Sequence, residues 1–303
     1  MDAYDVVIVG GSYAGLSAAL LLGRSMRRVL VVDTQRPANR QTPYSHSFLT
    51  QDGAMPTQLA TVAREQVARY PTVAFLNSEV VAATAEAAGF QVKMAVGAKV
   101  TARKLLLATG VLDELVPIPG LAECWGISVL HCPYCHGYEV RGQQLGLLAN
   151  GAVAAELVAL LRNWSRKLTV FTNGPADFTP EHQALLQAHQ VPVVEEPILD
   201  VPHQGGYLSG LRTADGQLHP LEAVFARFPT RLPGDLARQL GCSLTETGLI
   251  QVTEVCATNV PNLFAAGDAT TGMRQVAAAV AQGAKAGAWL NRELITDGVY
   301  ADV

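Results

Sequence analysis

The sequence has no basic run, no long apolar run, few charges and few aromatic residues, and each absence removes a class of function. Its 303 residues carry 22 Lys and Arg against 26 Asp and Glu, a net charge of −4. Binding to nucleic acid rests on clustered cations that neutralise phosphates, so no nucleic-acid partner is expected. Apolar runs such as residues 16–22 fall far short of the ~18 residues of a membrane span, so no membrane partner is expected either. The opening MDAYDVVIVGG has no basic n-region and runs straight into a strand pattern. It is not read as a signal peptide, and a cytoplasmic location is the expectation. Five cysteines are too few for a disulfide scaffold. A composition of 49% hydrophobic residues supports a sizeable core, which excludes a disordered tail, and the length suits two domains.

What is present begins with a nucleotide-binding pattern. Residues 4–9 (YDVVIV) form a β-branched run, Gly10 and Gly11 a turn, and Tyr13–Arg24 an Ala/Leu-rich helix. A second strand, residues 29–32, ends in Asp33, which completes a βαβ unit. The turn Gly10-Gly11-Ser12-Tyr13-Ala14-Gly15 is a degenerate dinucleotide fingerprint with Ser12 in place of the middle glycine. Gly10 allows the tight turn, a small residue at 12 lets a pyrophosphate approach the helix N-terminus, and Gly15 lets helix and strand pack closely. Asp33, 23 residues beyond Gly10, can accept hydrogen bonds from a ribose. The alternative reading is an ordinary βαβ unit with a Gly-rich turn.

Further segments narrow that choice. Residues 104–110 (KLLLATG) read as a buried strand ending in Thr-Gly, and residues 262–268 (NLFAAGD) as another ending in Gly-Asp before an Ala-rich helix at 275–294. An Asp there can hold a ribityl or phosphate hydroxyl, and the helix N-terminus can face an electron-rich carbonyl such as a flavin O2. A second strand–turn–helix follows the same plan: residues 144–150, Gly151, residues 152–162, then a strand at 167–172. The expected fold is α/β, with one Rossmann-like domain inserted in another. Residues 1–112 and 241–303 form the outer nucleotide domain and 113–240 the central one, with Pro/Gly-rich linkers at 112–120 and 231–241. The stretch 195–216 reads as loop-like and carries no recognition motif.

One cysteine pair stands out in His131-Cys132-Pro133-Tyr134-Cys135-His136-Gly137-Tyr138-Glu139. A CxxC is half a zinc site, a structural disulfide or a redox couple. Zinc needs a second ligand pair; the chain has no other CxxC or HxxxH, and His131 and His136 are crowded against the cysteines, so no metal is expected. A structural disulfide suits a reducing compartment poorly. The redox reading has a mechanism: Pro133 opens a helical turn with Cys132 as its N-cap, where unpaired N–H groups favour a thiolate. Residues three apart share a face, so the sulfurs can bridge. His136 is then an acid–base relay or, more plainly, a solvated histidine. Cys124, Cys242 and Cys256 read as small buried apolar residues.

Together GGSYAG, ATG at 108–110, CPYC and AAGD…RQVAAAVAQG resemble the low-molecular-weight thioredoxin reductase-like, FAD-dependent disulfide oxidoreductases, over essentially the whole chain. The resemblance implies two interleaved Rossmann-like, three-layer domains and a homodimer, with FAD on the outer domain and the CxxC on the inner one. Gly10, Gly11, Ser12, Ala14, Gly15, Asp33 and Arg40 would hold the dinucleotide part of FAD, with Thr109 and Gly110 beside it. Gly267 and Asp268 would meet the ribityl chain, and Arg274, Gln275 and Val276 would lie along the flavin. Cys135 would face flavin C4a, while Cys132 would exchange with substrate.

Three departures shape the functional expectation. His136 replaces the Asp that typical reductases carry after the second Cys. The forms CPYCHGYE and SHSFLTQDG (residues 45–53) look more like the gliotoxin-type and holomycin-type dithiol oxidases, with His46 as a second-tier candidate or a plain loop histidine. The central fingerprint falls on Ala149, Gly151 and Ala154, and residues 171–177 contain no Arg or Lys to grip a 2′-phosphate. Each charge-assisted hydrogen bond so lost is worth ~1.5–3 kcal/mol. The expectation is therefore an FAD enzyme that exchanges electrons between flavin and a dithiol or disulfide, small molecule or thioredoxin-like protein, with NADPH used poorly or not at all. Oxygen would serve as acceptor in the oxidative direction and ferredoxin as donor in the reductive one. The rivals are an NADPH-dependent thioredoxin reductase with an atypical pocket, a non-enzymatic flavin redox sensor, and a flavin oxidase or monooxygenase in which CPYC is incidental.

Overall fold

A computed structural model describes residues 3–300; residues 1, 2 and 301–303, which belong to the expected outer domain, lie outside the described residues. The chain divides into two compact units. The first takes the chain up to Arg40, then residues 47–112, then the chain from Thr230 onward. Its elements begin β1 (Ala3–Val9), α1 (Tyr13–Arg24), β2 (Val29–Asp33), α2 (Pro56–Ala68), β3 (Val73–Asn77), β4 (Val80–Glu86), β5 (Gly89–Met94) and β6 (Lys99–Leu107). The sheet order is β3-β2-β1-β6-β5-β4, and the late strand Leu263–Ala265 also pairs with β6.

β1, β2, β3, β6 and Leu263–Ala265 run parallel, whereas β4 and β5 are antiparallel additions. The parallel strands are near-continuous Val, Ile and Leu because both faces are covered. On one face Val6, Ile8, Val31 and Leu106 pack with α1 and the long helix Val276–Thr296; on the other, Val7, Leu30 and Leu105 pack with residues of β4, β5 and the 236–250 segment. Such a three-layer sheet presents the carboxyl ends of its parallel strands at one edge. The chain order reverses between β1 and β6, the point at which sheets of this kind bind ligands.

The second unit comprises residues 41–46 and 113–229. Its parallel sheet has the order Val193–Val194, Leu168–Phe171, Leu145–Leu148, Ala223–Ala226, Val129–Leu130. The helix Gly151–Leu161 crosses from Leu145–Leu148 to Leu168–Phe171. The stretch expected to be loop-like contributes to a small antiparallel sheet of Ile198–Asp200, Gly210–Thr213 and Leu218–Pro220.

Two boundaries differ from the expected division. The outer unit resumes at Thr230 rather than 241, because the Pro/Gly-rich 231–241 segment is no free linker: Leu236 and Ala237 are buried in the core that also holds Val80 and Ala83 of β4. Residues 41–46 join the second unit, where the Gln41 side chain donates to the Ala122 carbonyl at 3.3 Å.

Candidate active site

The first crossover is built for close approach. Gly10 has φ +104°, and a Cβ there would run into the Ala108 carbonyl. A Cβ on Gly15 would strike the Gly10 carbonyl, so only glycine lets α1 sit this near β1. Gly11 lies against Asp33, whose Cβ would be 2.9 Å from an added one. Ser12 is the N-cap of α1 but makes no side-chain cap, and no acid occupies the first turn. The partial positive charge of that helix end is thus left without an internal anion. Asp33 ends β2, half-buried, and its carboxylate accepts no hydrogen bond among the described residues. Thr109 and Gly110 follow β6; Gly110 has φ +66° and only open space where a Cβ would stand.

The late strand brings its turn to the same edge. Gly267 has φ +80°, and a Cβ on it would be 2.9 Å from the Ala14 side chain. Asp268 lies 3.7 Å from Arg274 Nε, both largely buried. Gln275 caps the helix Val276–Thr296 without a side-chain bond, so that N-terminus is open as well. Two residues without an expected role hold this turn. Gln282 Oε1 accepts from Gly267 N at 2.7 Å and from the Thr270 hydroxyl at 3.0 Å. Gly283 lets the helix pass over the Ala14 carbonyl, where a Cβ would clash. An open helix N-terminus, a half-buried acid at the next strand end and a second acid on the neighbouring turn suit a pyrophosphate, a ribose and a polyhydroxyl chain. Arg40 stands apart from this cluster: it is exposed, its guanidinium donating to the Pro37 carbonyl at 3.3 Å.

The second crossover has the same plan and a different mouth. Asn150 caps the helix Gly151–Leu161. Its Oδ1 accepts from Gly151 N at 2.8 Å and from Asp177 N at 2.9 Å, while its Nδ2 donates to the Pro175 carbonyl at 2.9 Å. The loop after the next strand is tied down further by Glu195, whose carboxylate accepts from Ala176 N at 2.7 Å. One asparagine thus takes the first helix N–H and ties the loop across the helix end, and carboxylates rather than cations flank it.

The cysteine turn lies in the second unit, just after the edge strand Val129–Leu130. Cys132 and Cys135 are joined in a disulfide with Cα atoms 5.3 Å apart. Cys132 is the N-cap of the turn Pro133–His136, with Pro133 first in it, and its Sγ accepts from Cys135 N at 3.2 Å. That N–H favours negative charge on Cys132 once the bridge opens. Gly137 packs against Trp164, which meets Tyr134 edge to face at 5.6 Å. Cys124, Cys242 and Cys256 are buried free thiols whose pKa burial raises, which makes them poor nucleophiles.

His136 is not the solvated histidine that the plainer reading allowed. Burial pushes its imidazole from 6.5 down to about 4; the Glu139 carboxylate opposes the shift and the His46 imidazole adds to it. His136 is therefore neutral at pH 7, and it directly follows Cys135 in the chain. His46 Nε2 lies 3.5 Å from Glu139 Oε1, and the His46 and His136 rings meet edge to face with centroids 6.4 Å apart. Among the described residues no group of three or more His, Cys, Asp or Glu is arranged to hold a metal ion, and no helix is long and apolar enough to cross a membrane.

Comparison with known proteins bears on this arrangement directly. Residues 4–283 match the family described as pyridine nucleotide-disulphide oxidoreductase. The chain belongs to that family. The thioredoxin reductase sirT of Leptosphaeria maculans is 33% identical over 308 residues, covering 95% of this chain and 93% of the relative. A solved oxidoreductase from Agrobacterium tumefaciens is 38% identical with a TM-score of 0.91, covering 98% of this chain and 99% of that one. The solved structure of HlmI is 34% identical with a TM-score of 0.92, covering 98% and 94%. This chain is thus a thioredoxin reductase-like flavoprotein disulfide oxidoreductase with FAD as its cofactor, on the gliotoxin- and holomycin-type side of the family.

Proposed function

We propose that this oxidoreductase couples FAD to a dithiol/disulfide pair through Cys132–Cys135 and does so without NADPH. The observation that carries the second half is the Asn150 lock. A nicotinamide nucleotide would have to displace three hydrogen bonds at the mouth of the second crossover and then place its phosphates among Asp177 and Glu195 with no cation in residues 171–177. Hydrogen bonds to charged groups are worth ~1.5–3 kcal/mol each, so the missing cations alone cost a 2′-phosphate two or more decades of affinity.

The residues divide the work as follows. The Gly10–Gly15 turn, Asp33, Thr109, Gly110, Gly267, Asp268 and Arg274–Val276 hold the cofactor, which when bound supplies a two-electron acceptor or donor. In the oxidative direction a substrate thiol loses its proton to neutral His136 and its sulfur bonds to Cys132. The Cys132–Cys135 bond breaks, and the electron pair leaves on Cys135 as a thiolate. A second substrate thiol, giving its proton to solvent, then attacks the substrate sulfur of the mixed disulfide; the substrate disulfide forms, and Cys132 leaves as a thiolate that the Cys135 N–H is placed to stabilise. The reverse exchange is chemically equivalent, so potentials set the direction. The substrate is a dithiol or disulfide of small-molecule or thioredoxin-like type, the outer electron partner is oxygen or ferredoxin, and the protein works as a cytoplasmic homodimer.

The test is an anaerobic titration of the purified flavoprotein with dithiothreitol, NADPH and NADH in separate cuvettes. Bleaching by the dithiol and not by either nucleotide is expected. Rapid bleaching by micromolar NADPH would instead establish the NADPH-dependent reductase. In Cys132→Ser the dithiol is expected to bleach at least a hundredfold more slowly; bleaching at the wild-type rate would mean that the cysteines are not on the electron route.

A further inference from the structure

We propose that His46 and Glu139 form the proton outlet of His136, carrying the proton taken from an incoming thiol into the cavity beside the redox turn. The inference rests on the reading of Cys132–Cys135 as the exchanging disulfide and adds residues which that reading does not use.

Three observations meet at this point. A cavity of about 310 Å³ lies within the second unit, lined among others by Tyr44, His46, His136, Glu139, Tyr207 and Glu222. His136, directly after Cys135, is therefore exposed to the cavity on one side and adjoins the disulfide in sequence on the other. The His46 imidazole stands edge to face with His136 at 6.4 Å between centroids, and both side chains line the cavity. His46 Nε2 lies 3.5 Å from the Glu139 carboxylate. His46 reaches this position only because residues 41–46 leave the outer unit and pack into the second.

The chemistry explains why an outlet is needed. Opening the bridge proceeds as RSH plus Cys132–S–S–Cys135 giving the mixed disulfide at Cys132, a Cys135 thiolate and one proton. The S–H bond breaks, the R–S–S–Cys132 bond forms, the old S–S bond takes the electron pair to Cys135, and the proton must go elsewhere for that thiolate to persist. His136 is the first acceptor, but its burial makes it a reluctant cation, and a base that holds its proton weakly passes it on quickly. The charged and titratable groups facing it are Glu139 from the turn that follows and His46 from the 41–46 segment, with Glu222, Tyr44 and Tyr207 across the cavity. No Lys or Arg lines the cavity, so nothing there repels an arriving proton. Glu139 thus acts as a positioning residue for both imidazoles, and His46 as the group that exchanges with cavity water.

The experiment uses the flavin-loaded full chain and follows opening of the disulfide rather than turnover. Dithiothreitol is added, the reaction is quenched at intervals with an alkylating reagent, and modification of Cys132 and Cys135 is read by mass. Roughly tenfold slower opening at pH 7 is expected for His46→Ala and for Glu139→Gln, with imidazole in the buffer restoring the His46→Ala rate. In 13C-labelled protein the His136 ring is expected to titrate lower in Glu139→Gln and higher in His46→Gln, which a loss of packing would not produce in opposite senses. Wild-type opening rates in both variants, or slow variants with no imidazole rescue and an unmoved His136 titration, overturn the outlet. A wild-type disulfide that dithiothreitol does not open at any pH would overturn the exchange reading itself, a result distinct from either of these.

Discussion

The two strand–turn–helix crossovers of this chain are built alike and finished oppositely. At the first, Ser12 makes no side-chain cap on α1, and the half-buried Asp33 carboxylate accepts no hydrogen bond from the described residues. At the second, Asn150 takes the first helix N–H, that of Gly151, and pins the loop of Pro175 and Asp177 across the helix end. A fold that evolves with a ligand leaves donors and acceptors for that ligand to satisfy; one that works without it does better to satisfy them itself, because an unmade hydrogen bond costs about 1–3 kcal/mol. The contrast supports the proposal that the first crossover binds the cofactor and that the second serves as a scaffold for the redox turn.

The largest effect that tests this contrast is at Gly15. A side chain there must displace the Gly10 carbonyl, so Gly15→Val is expected to lose flavin altogether and most of its fold with it. Gly151 holds the middle position of the second fingerprint, where the first has Ser12; its φ is +56° and an added Cβ would come no nearer than 3.3 Å to Asp177 O. Gly151→Ala is expected to keep full flavin content and lose about 1 kcal/mol to its left-handed backbone. The flavin-to-protein absorbance ratio and a thermal melt read both. Equal flavin loss in the two variants would mean that the crossovers are not functionally distinct.

Much of this was legible in the sequence, and the exceptions share a cause. The βαβ unit, the GGSYAG turn and the CPYC turn are local patterns: a strand period, glycines at fixed offsets, and Pro after Cys. Local sterics fix what such patterns do, so they can be read without a structure. Glu139 stood in plain view in CPYCHGYE, yet its importance depends on His46, 93 positions away, and no pattern links them. Gln282 likewise has meaning only through Gly267 and Thr270. The 231–241 segment misled for the opposite reason: its prolines and glycines say turn, while Leu236 and Ala237 say core, and burial decided.

A smaller effect sharpens the redox side of the comparison. His136 has its pKa depressed to about 4 in the folded protein, so between that value and 6.5 the unfolded chain binds the extra proton. Its contribution to stability is fully present above 6.5 and is lost as pH falls through the window, by about 3 kcal/mol at most at 1.36 kcal/mol per pKa unit. His136→Gln is expected to flatten the wild-type decline in denaturant stability between pH 6.5 and 4. A decline of unchanged steepness would place the proton uptake on another group.

The smallest expected effect concerns the lock itself. Asn150→Ala removes the cap of Gly151–Leu161 and three hydrogen bonds with it, at a cost of about 1 kcal/mol in stability. If the lock were the only barrier to a nicotinamide nucleotide, NADPH would then bleach the flavin. It is not the only barrier, because residues 171–177 still contain no Arg or Lys and Asp177 and Glu195 still face the mouth. The expected result is a slightly less stable protein that NADPH bleaches no faster than wild type, and a measurable gain only when Asn173→Arg is added to supply a cation for the 2′-phosphate. Rapid bleaching in Asn150→Ala alone would show that one side chain, rather than the charge of the whole mouth, separates the two crossovers.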